Sequence, residues 1–165
     1  MTTATLEVLF KDTLSKMYYA EQRIAKALPK MQAAAQSVDL QMAFETHLEE
    51  TMLQIDRLQQ VFELIGQPAI AETCPVTDAL IQAGDHAIAV YQGSPALDAA
   101  LIAAAQGVEH YEIARYGALC AWADLLDMLE ASDLMNLSLT EELGTDDALN
   151  DLADTSVNET ALRAA

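Results

Sequence analysis

Carboxylates interrupt the apolar stripes of two helical segments, at positions where a core-facing residue is normally hydrophobic. In the first segment, Glu21 lies between Met17 and Ile24 at helical spacing. In a later segment, Glu109 and Glu112 are separated by about 60° around the helix, since each residue turns it by about 100°. A buried carboxylate costs several kcal/mol unless it is neutralised or binds a cation. These acids are therefore candidates either for hydrogen-bonded core positions or for metal ligation.

Two further segments carry groups of the same kind. His47 and Glu50 are spaced i, i+3, and Glu142 and Asp146 are spaced i, i+4, so each pair lies on one side of its helix. Hard or borderline divalent cations prefer oxygen ligands with some imidazole, and helical bundles supply such ligands from facing helices. The pattern predicts a site for two divalent metal ions, iron or manganese. Its candidate ligands are Glu21, His47, Glu50, Glu109, Glu112, Glu142 and Asp146.

Several of these side chains have a structural alternative. A lone histidine on an apolar face is often a satisfied core residue or a donor to a ligand, so His47 has two interpretations. Glu109 has three interpretations: a metal ligand, an acceptor of a hydrogen bond from a ligand side chain, or an ion-pair partner of Arg115. Asp146 is a candidate ligand because it lies one turn after Glu142, within reach of the inward face. His110 lies about 140° from the centre of its apolar stripe, and we expect it to face the short helix or solvent.

Four long helices and one short helix are predicted to position these groups, from apolar residues spaced three to four apart. Ser37 or Asp39 can cap the second helix, Gly66 ends it, and Ser94-Pro95 can open the fourth. Ser132 is predicted to cap the last. The predicted ranges are about 4–29 with a kinked continuation to 35, about 37–65, about 75–91, about 95–127, and about 132–154 followed by a frayed polar tail.

The order of these helices, long-long-short-long-long, predicts the fold class. It favours an all-α, ferritin-like four-helix bundle in which two antiparallel hairpins are joined by a crossover over residues 67–94. The short helix belongs to that crossover. We expect residues 1–165 to form a single domain with its core at about 4–154, because a chain of 165 residues that is 52% hydrophobic can bury one sizeable core.

Charge and cysteine usage narrow the function classes. A net charge of −18 disfavours binding to nucleic acids and to anionic membrane surfaces, because both would repel the chain. The first residues lack the basic and apolar regions of a signal peptide, and no stretch is long and apolar enough for a membrane span, so a cytoplasmic location is expected. Cys74 and Cys120 lack the spacing of a metal or redox motif and are expected to be reduced thiols.

Runs of residues over about 5–153 resemble the YciE/YciF family of bacterial ferritin-like stress proteins. They include YAE at 19–21, ALPKM at 27–31 and AFETHLEET at 43–51, and the most specific is AAAQGVEHYEIARYG at 103–117. The resemblance implies a ferritin-like bundle, a homodimer, a link to bacterial stress and a di-iron or similar centre. It does not imply a defined reaction.

Two functional hypotheses follow. In the first, the protein is a dinuclear metalloprotein that handles oxygen or peroxide: Glu50 and Glu142 bridge the metals, and Glu21 and Glu112 bind one metal each. The remaining candidates complete or support the ligand shell, namely His47, Glu109 and Asp146. The usual superfamily signature is Glu-x-x-His, whereas this chain has His47-x-x-Glu50 and no histidine in its last helix. That departure leaves the transfer of oxygen chemistry open.

The second hypothesis belongs to a different class. The protein would be a non-catalytic helical dimer that acts through partners or by sequestering metal, and its inward acids would share protons and hydrogen bonds. An iron-storage cage is disfavoured by the long crossover helix. The sequence does not decide between an enzyme and a non-enzymatic stress protein.

Overall fold

A computed structural model describes residues 4–163 of the chain, and this part is helical with no β-strand. The all-α class predicted from the sequence is confirmed. The elements are α1 (Leu6–Ala34), α2 (Val38–Leu64), α3 (Pro75–Tyr91), α4 (Leu97–Leu125), α5 (Leu129–Leu152), a π-helical turn (Ala153–Val157) and α6 (Asn158–Arg163).

Short polar residues define where α1 and α2 begin. The Thr5 hydroxyl accepts from the backbone amide of Val8, and the Ser37 hydroxyl accepts from that of Leu40, so each helix has a side-chain cap. Proline at position 29 does not stop α1, which continues to Ala34 as predicted. Gly66 follows α2 with a φ of 65°, a left-handed conformation that costs glycine little.

Three predicted boundaries differ from the structure. Helix α4 begins at Leu97 because Ser94 starts a tight turn in which its carbonyl accepts from the Leu97 amide. Helix α5 begins at Leu129, not near Ser132, which is buried and donates its hydroxyl to the Cys120 carbonyl. The expected frayed tail after residue 154 is helical to Arg163, and Val157 is buried within it.

The four long helices contact one another in a ring: α1 packs against α2 and α4, and α5 packs against α2 and α4. Hydrogen bonds fix the direction of α5 relative to α2, because Thr145 reaches Glu50 while Ser138 reaches Arg57 farther along α2. Helices α2 and α5 are therefore antiparallel. The bonds from α4 to α5 show the same reversal, with Gln106 at Asn150 and Cys120 at Ser132.

Helix α3 lies outside the ring, against α1 and α4. Arg23 and Tyr19 of α1 both bond to Asp78 of α3, and Lys30 of α1 pairs with Asp85, about two turns farther along α3. These bonds hold α3 on α1, and its packing against α4 as well places it over the seam between the two helices, on the outside of the ring.

The interior between the long helices is filled mainly by large apolar side chains. The largest fully buried ones are Tyr116, Phe10, Phe44, Leu14, Met17, Leu40, Leu58, Leu101, Leu119, Met135 and Leu149. Both cysteines are free, as predicted, and both are buried. Among the helices within residues 4–163, none is long and apolar enough to cross a membrane.

Candidate metal centre

Five ionisable side chains from all four long helices are buried in the middle of this core. Glu21 comes from α1, His47 from α2, Glu109 and Glu112 from α4, and Glu142 from α5. The four carboxylates are fully inaccessible, and His47 is 3% exposed. The sequence predicted that four of them face the core and that Glu142 lies within reach of the inward face of its helix, and the structure buries all five.

Four of the five form a compact set. His47, Glu109, Glu112 and Glu142 each offer one ligand atom, and these atoms all lie within 4.8 Å of one another. His47 Nδ1 is 3.2 Å from Glu109 Oε1, and His47 Nε2 is 4.0 Å from Glu142 Oε2. One histidine and three carboxylates from three helices thus converge on a volume small enough for a single ion to contact them all.

These groups lack hydrogen-bond partners. Within the described part of the chain, both ring nitrogens of His47 and both oxygens of Glu109, Glu112 and Glu142 make no hydrogen bond. Leaving a buried polar group unsatisfied costs about 1–3 kcal/mol, and folded proteins retain only a few such groups. A bound cation would satisfy these atoms, and so would protons shared between the acids.

Glu21 is partly satisfied by a neighbour on α4. Its Oε1 accepts a hydrogen bond of 2.5 Å from the buried hydroxyl of Tyr116, and its Oε2 has no partner within residues 4–163. Tyr116 therefore holds Glu21 in one orientation and leaves its other oxygen free to bind a ligand.

The electrostatics of the cluster are unfavourable for a metal-free protein at neutral pH. Burial, and then repulsion from Glu142, raise the pKa of Glu21, Glu109 and Glu112 well above the usual range. Burial also raises the pKa of Glu142 to about 7 and lowers that of His47 to about 4. Protons are thus favoured on the acids and disfavoured on the imidazole, because burial penalises the charged form of both kinds of group.

A divalent cation fits this donor set. Several carboxylates with one neutral imidazole suit iron or manganese, whereas a site without thiolates has none of the soft ligands that select copper(I) or iron–sulfur clusters. A bound cation would hold the acids in their ionised form and would satisfy their free oxygens. The buried cluster is therefore compatible with metal binding.

An ion pair beside the cluster was not anticipated from the sequence. Arg57 of α2 makes two bonds of 2.6 Å with Glu141 of α5, and the buried amide of Gln54 donates to the same carboxylate. Glu141 and Glu142 thus point to different partners. The spacing of Arg57 three residues after Gln54 is a weak signal that could have suggested a second polar position on this face.

Glu50 and Asp146 lie outside the compact set. Glu50 is half-buried and accepts from the Thr145 hydroxyl at 3.1 Å. Asp146 contacts the mostly exposed ring of His110 at 3.1 Å, in accord with the expected outward position of that histidine. The bridging role of Glu50 and the ligand role of Asp146 stay predictions.

The suggested pairing of Glu109 with Arg115 is not present. The Arg115 guanidinium lies over the ring of Tyr111, 5.2 Å from its centre, while Glu109 turns into the cluster. Arg115 therefore stabilises the surface of α4 through a cation–π contact. Within residues 4–163, no lysine or arginine forms an ion pair with Glu109.

Together these features define an all-helical protein with a buried histidine and carboxylate cluster. A family model described as a domain of unknown function, DUF892, matches residues 5–162, and the chain belongs to that family. Protein YciF of Escherichia coli strain K12 is 41% identical over 162 residues, which are 98% of each chain.

Solved structures agree with this assignment. The crystal structure of the E. coli stress protein YciF matches with a TM-score of 0.90 and 41% identity, covering 96% of this chain and 99% of that one. YcfI of Rhodopseudomonas palustris, provisionally described as a structural protein, matches with a TM-score of 0.86 and 45% identity, covering 90% and 95%. The resemblance inferred from the sequence is confirmed, and the chain is a YciF-like protein.

Proposed function

We propose that the buried cluster is a dinuclear centre for iron or manganese, and that the protein handles dioxygen or peroxide during bacterial stress. The unpartnered carboxylate and imidazole atoms carry this proposal, because a cation is the simplest partner for all of them at once. The stress context comes from the similarity to YciF, which is described as a stress protein.

The first ion would be held by His47, Glu109, Glu112 and Glu142, whose ligand atoms already lie together. Glu21 would contribute to a second ion, since its buried Oε2 has no hydrogen-bond partner within residues 4–163. Glu50 and Asp146, at the edge of the core, are supporting residues or further ligands in this proposal.

The proposed fold is the ferritin-like four-helix bundle, with α1–α2 and α4–α5 as its two hairpins. The ring of contacts between these helices supports it, as does the antiparallel direction of α5 relative to both α2 and α4. Helices α2 and α4 then run in the same direction, so the connection between them must return along the bundle. The chain places α3 in that connection.

When bound, such ions supply the electrons and the Lewis acidity that reduction of an oxidant requires. The residues of the chain have simpler tasks. The carboxylates hold charge in a space from which bulk water is excluded, which strengthens electrostatic interactions there. Tyr116 keeps its hydroxyl proton at Glu21 Oε1, because burial and that carboxylate raise the pKa of Tyr116 well above its usual range.

The test is the metal content of untagged protein, measured by inductively coupled plasma mass spectrometry after anaerobic loading with ferrous iron or manganese. We expect about two ions per chain, as in other dinuclear bundles. Glu112→Gln removes a cluster carboxylate without changing its shape and should lower this number, whereas Glu49→Gln changes an exposed acid of α2 and should not. Metal content well below one ion per wild-type chain under both conditions would refute the proposal.

A second candidate function is a non-catalytic stress protein. The provisional description of the R. palustris relative as a structural protein favours it. In this case the chain would act as a homodimer through partners, and the cluster acids would be kept protonated by burial. Equilibrium sedimentation tests the dimer. A purified protein that contains no metal, and whose thermal stability Glu112→Gln does not change at any pH, would favour this candidate over the first.

A further inference from the structure

A small cavity joins the cluster to the covering helix α3. Its volume is about 30 Å³, enough for one or two water-sized molecules. It lies between α1, α3 and α4, and most of its wall is aliphatic. The main apolar lining residues are Ile24, Leu28, Met31, Leu80, Ile81 and Val108.

The two ends of this cavity differ. His47 and Glu109 line its inner side, and both are buried with unpartnered polar atoms within residues 4–163. Asp85 also lines it, and this exposed residue forms an ion pair with Lys30 at the surface. The cavity therefore extends from the candidate metal centre to the seam between α1 and α3.

We propose that this cavity is the route by which dioxygen reaches the cluster, and that it discriminates against peroxide and superoxide. The proposal rests on the metal-binding function proposed above. A small apolar molecule such as dioxygen loses no hydrogen bonds on entering an aliphatic passage, whereas hydrogen peroxide would give up hydrogen bonds to water without replacement. Superoxide is an anion, and a chain with net charge −18 repels it.

Small residues keep the passage open. Ala27, Ala104 and Ala105 contribute to the wall, and Gly84 of α3 faces Met31, so that a Cβ there would lie 3.5 Å from Met31 Sδ. Met31 is flexible and can rotate aside to admit a diatomic molecule. A large side chain at Ala104 would instead occupy the cavity permanently.

The test uses dioxygen itself as the probe, in metal-free protein. Dissolved dioxygen is paramagnetic and speeds the relaxation of methyl NMR signals that it can approach. We expect severalfold greater relaxation for the Ile24 methyl groups than for those of Ile102, which is as deeply buried on α4 but does not line the cavity. Ala104→Phe should abolish this difference, and Ala103→Phe, at the exposed neighbouring position, should preserve it.

Leu80→Ala provides a second variant in case Ala104→Phe does not fold. It enlarges the cavity and should increase dioxygen relaxation at Ile24. Equal relaxation of Ile24 and Ile102 in the wild type and in Leu80→Ala would overturn the proposal.

Metal content, measured separately, distinguishes the two proposals. Relaxation at Ile24 without metal binding would leave the passage standing and refute the metal centre, whereas metal binding without such relaxation would refute only the passage. In iron-loaded protein, Ala104→Phe should slow dioxygen consumption severalfold and leave the reaction with hydrogen peroxide unchanged. Equal slowing of both reactions would contradict the proposed discrimination.

Discussion

Replacing Glu142 with glutamine should stabilise the metal-free protein at alkaline pH. Burial raises the pKa of Glu142 from 4.5 to about 7, so ionising this group costs the folded chain more than the unfolded chain. Its contribution to stability is fully present below pH 4.5 and is lost as the pH rises through 7. The shift corresponds to about 3 kcal/mol. Glu142→Gln has the same shape and no charge, so it avoids this loss.

The assay is thermal unfolding in the presence of a chelator, at pH 5 and at pH 8. At pH 8 we expect Glu142→Gln to be more stable than the wild type by about 3 kcal/mol, which for a chain of this size raises Tm by about 6–12 °C. At pH 5 the folded wild type is already protonated at this position, and the difference should fall to about 1 kcal/mol or less. Glu49→Gln removes the same charge at an exposed position, and its stability should equal that of the wild type at both pH values.

Metal reverses the sign of this prediction. With ferrous iron or manganese bound, the ionised carboxylate becomes a ligand, and Glu142→Gln should lose the stabilisation that the metal gives the folded state. If Glu142→Gln is less stable than the wild type at pH 8 without metal, Glu142 makes favourable contacts that outweigh its burial. That result would refute the argument that burial makes ionised Glu142 unfavourable in the metal-free protein.

Three other substitutions test individual contacts. Tyr116→Phe removes the hydroxyl that donates to Glu21 and should lower the free energy of unfolding by about 2 kcal/mol in urea titrations. Asp98→Ala leaves two backbone amides of the turn between α1 and α2 without their acceptor, and calorimetry should show a loss of about 2–3 kcal/mol. Arg57→Ala breaks a half-buried pair with Glu141, so amide hydrogen exchange in the middle of α5 should accelerate while metal content is retained.

The sequence predicted the helices best where side chains act locally. Ser37 caps α2 and Gly66 follows its end, because a hydroxyl acceptor and a left-handed residue work through atoms a few positions away. The start of α5 was not predictable in this way. Asp127 adopts a φ of 57°, which starts α5 earlier and places Ser132 inside the helix. That turn depends on how α4 and α5 pack, and a residue other than glycine gives little warning of it.

The end of the chain was underestimated for a related reason. Residues after 154 are mostly polar, and polarity without periodicity predicts a frayed tail. Packing against α4 overrides this preference, since α4 contacts both the π-helical turn and α6, and Val157 is buried there. A few apolar residues without helical spacing, of which only Val157 is buried within residues 4–163, are too weak a pattern to predict a tertiary contact.

At the candidate site, helical periodicity determines some features and the packing of the helices determines others. Periodicity gives the direction of a side chain around its own helix, and it correctly placed Glu21, Glu109 and Glu112 in the core. It gives neither the height at which two helices meet nor the rotation of the whole helix. The sequence placed Glu50 at the edge of the α2 stripe and grouped it with the ligands, and the structure leaves it at that edge, half-buried and accepting from the Thr145 hydroxyl. The sequence can thus predict which charged groups face inward. Which of their atoms come close enough to bind one ion is known only from the packed structure.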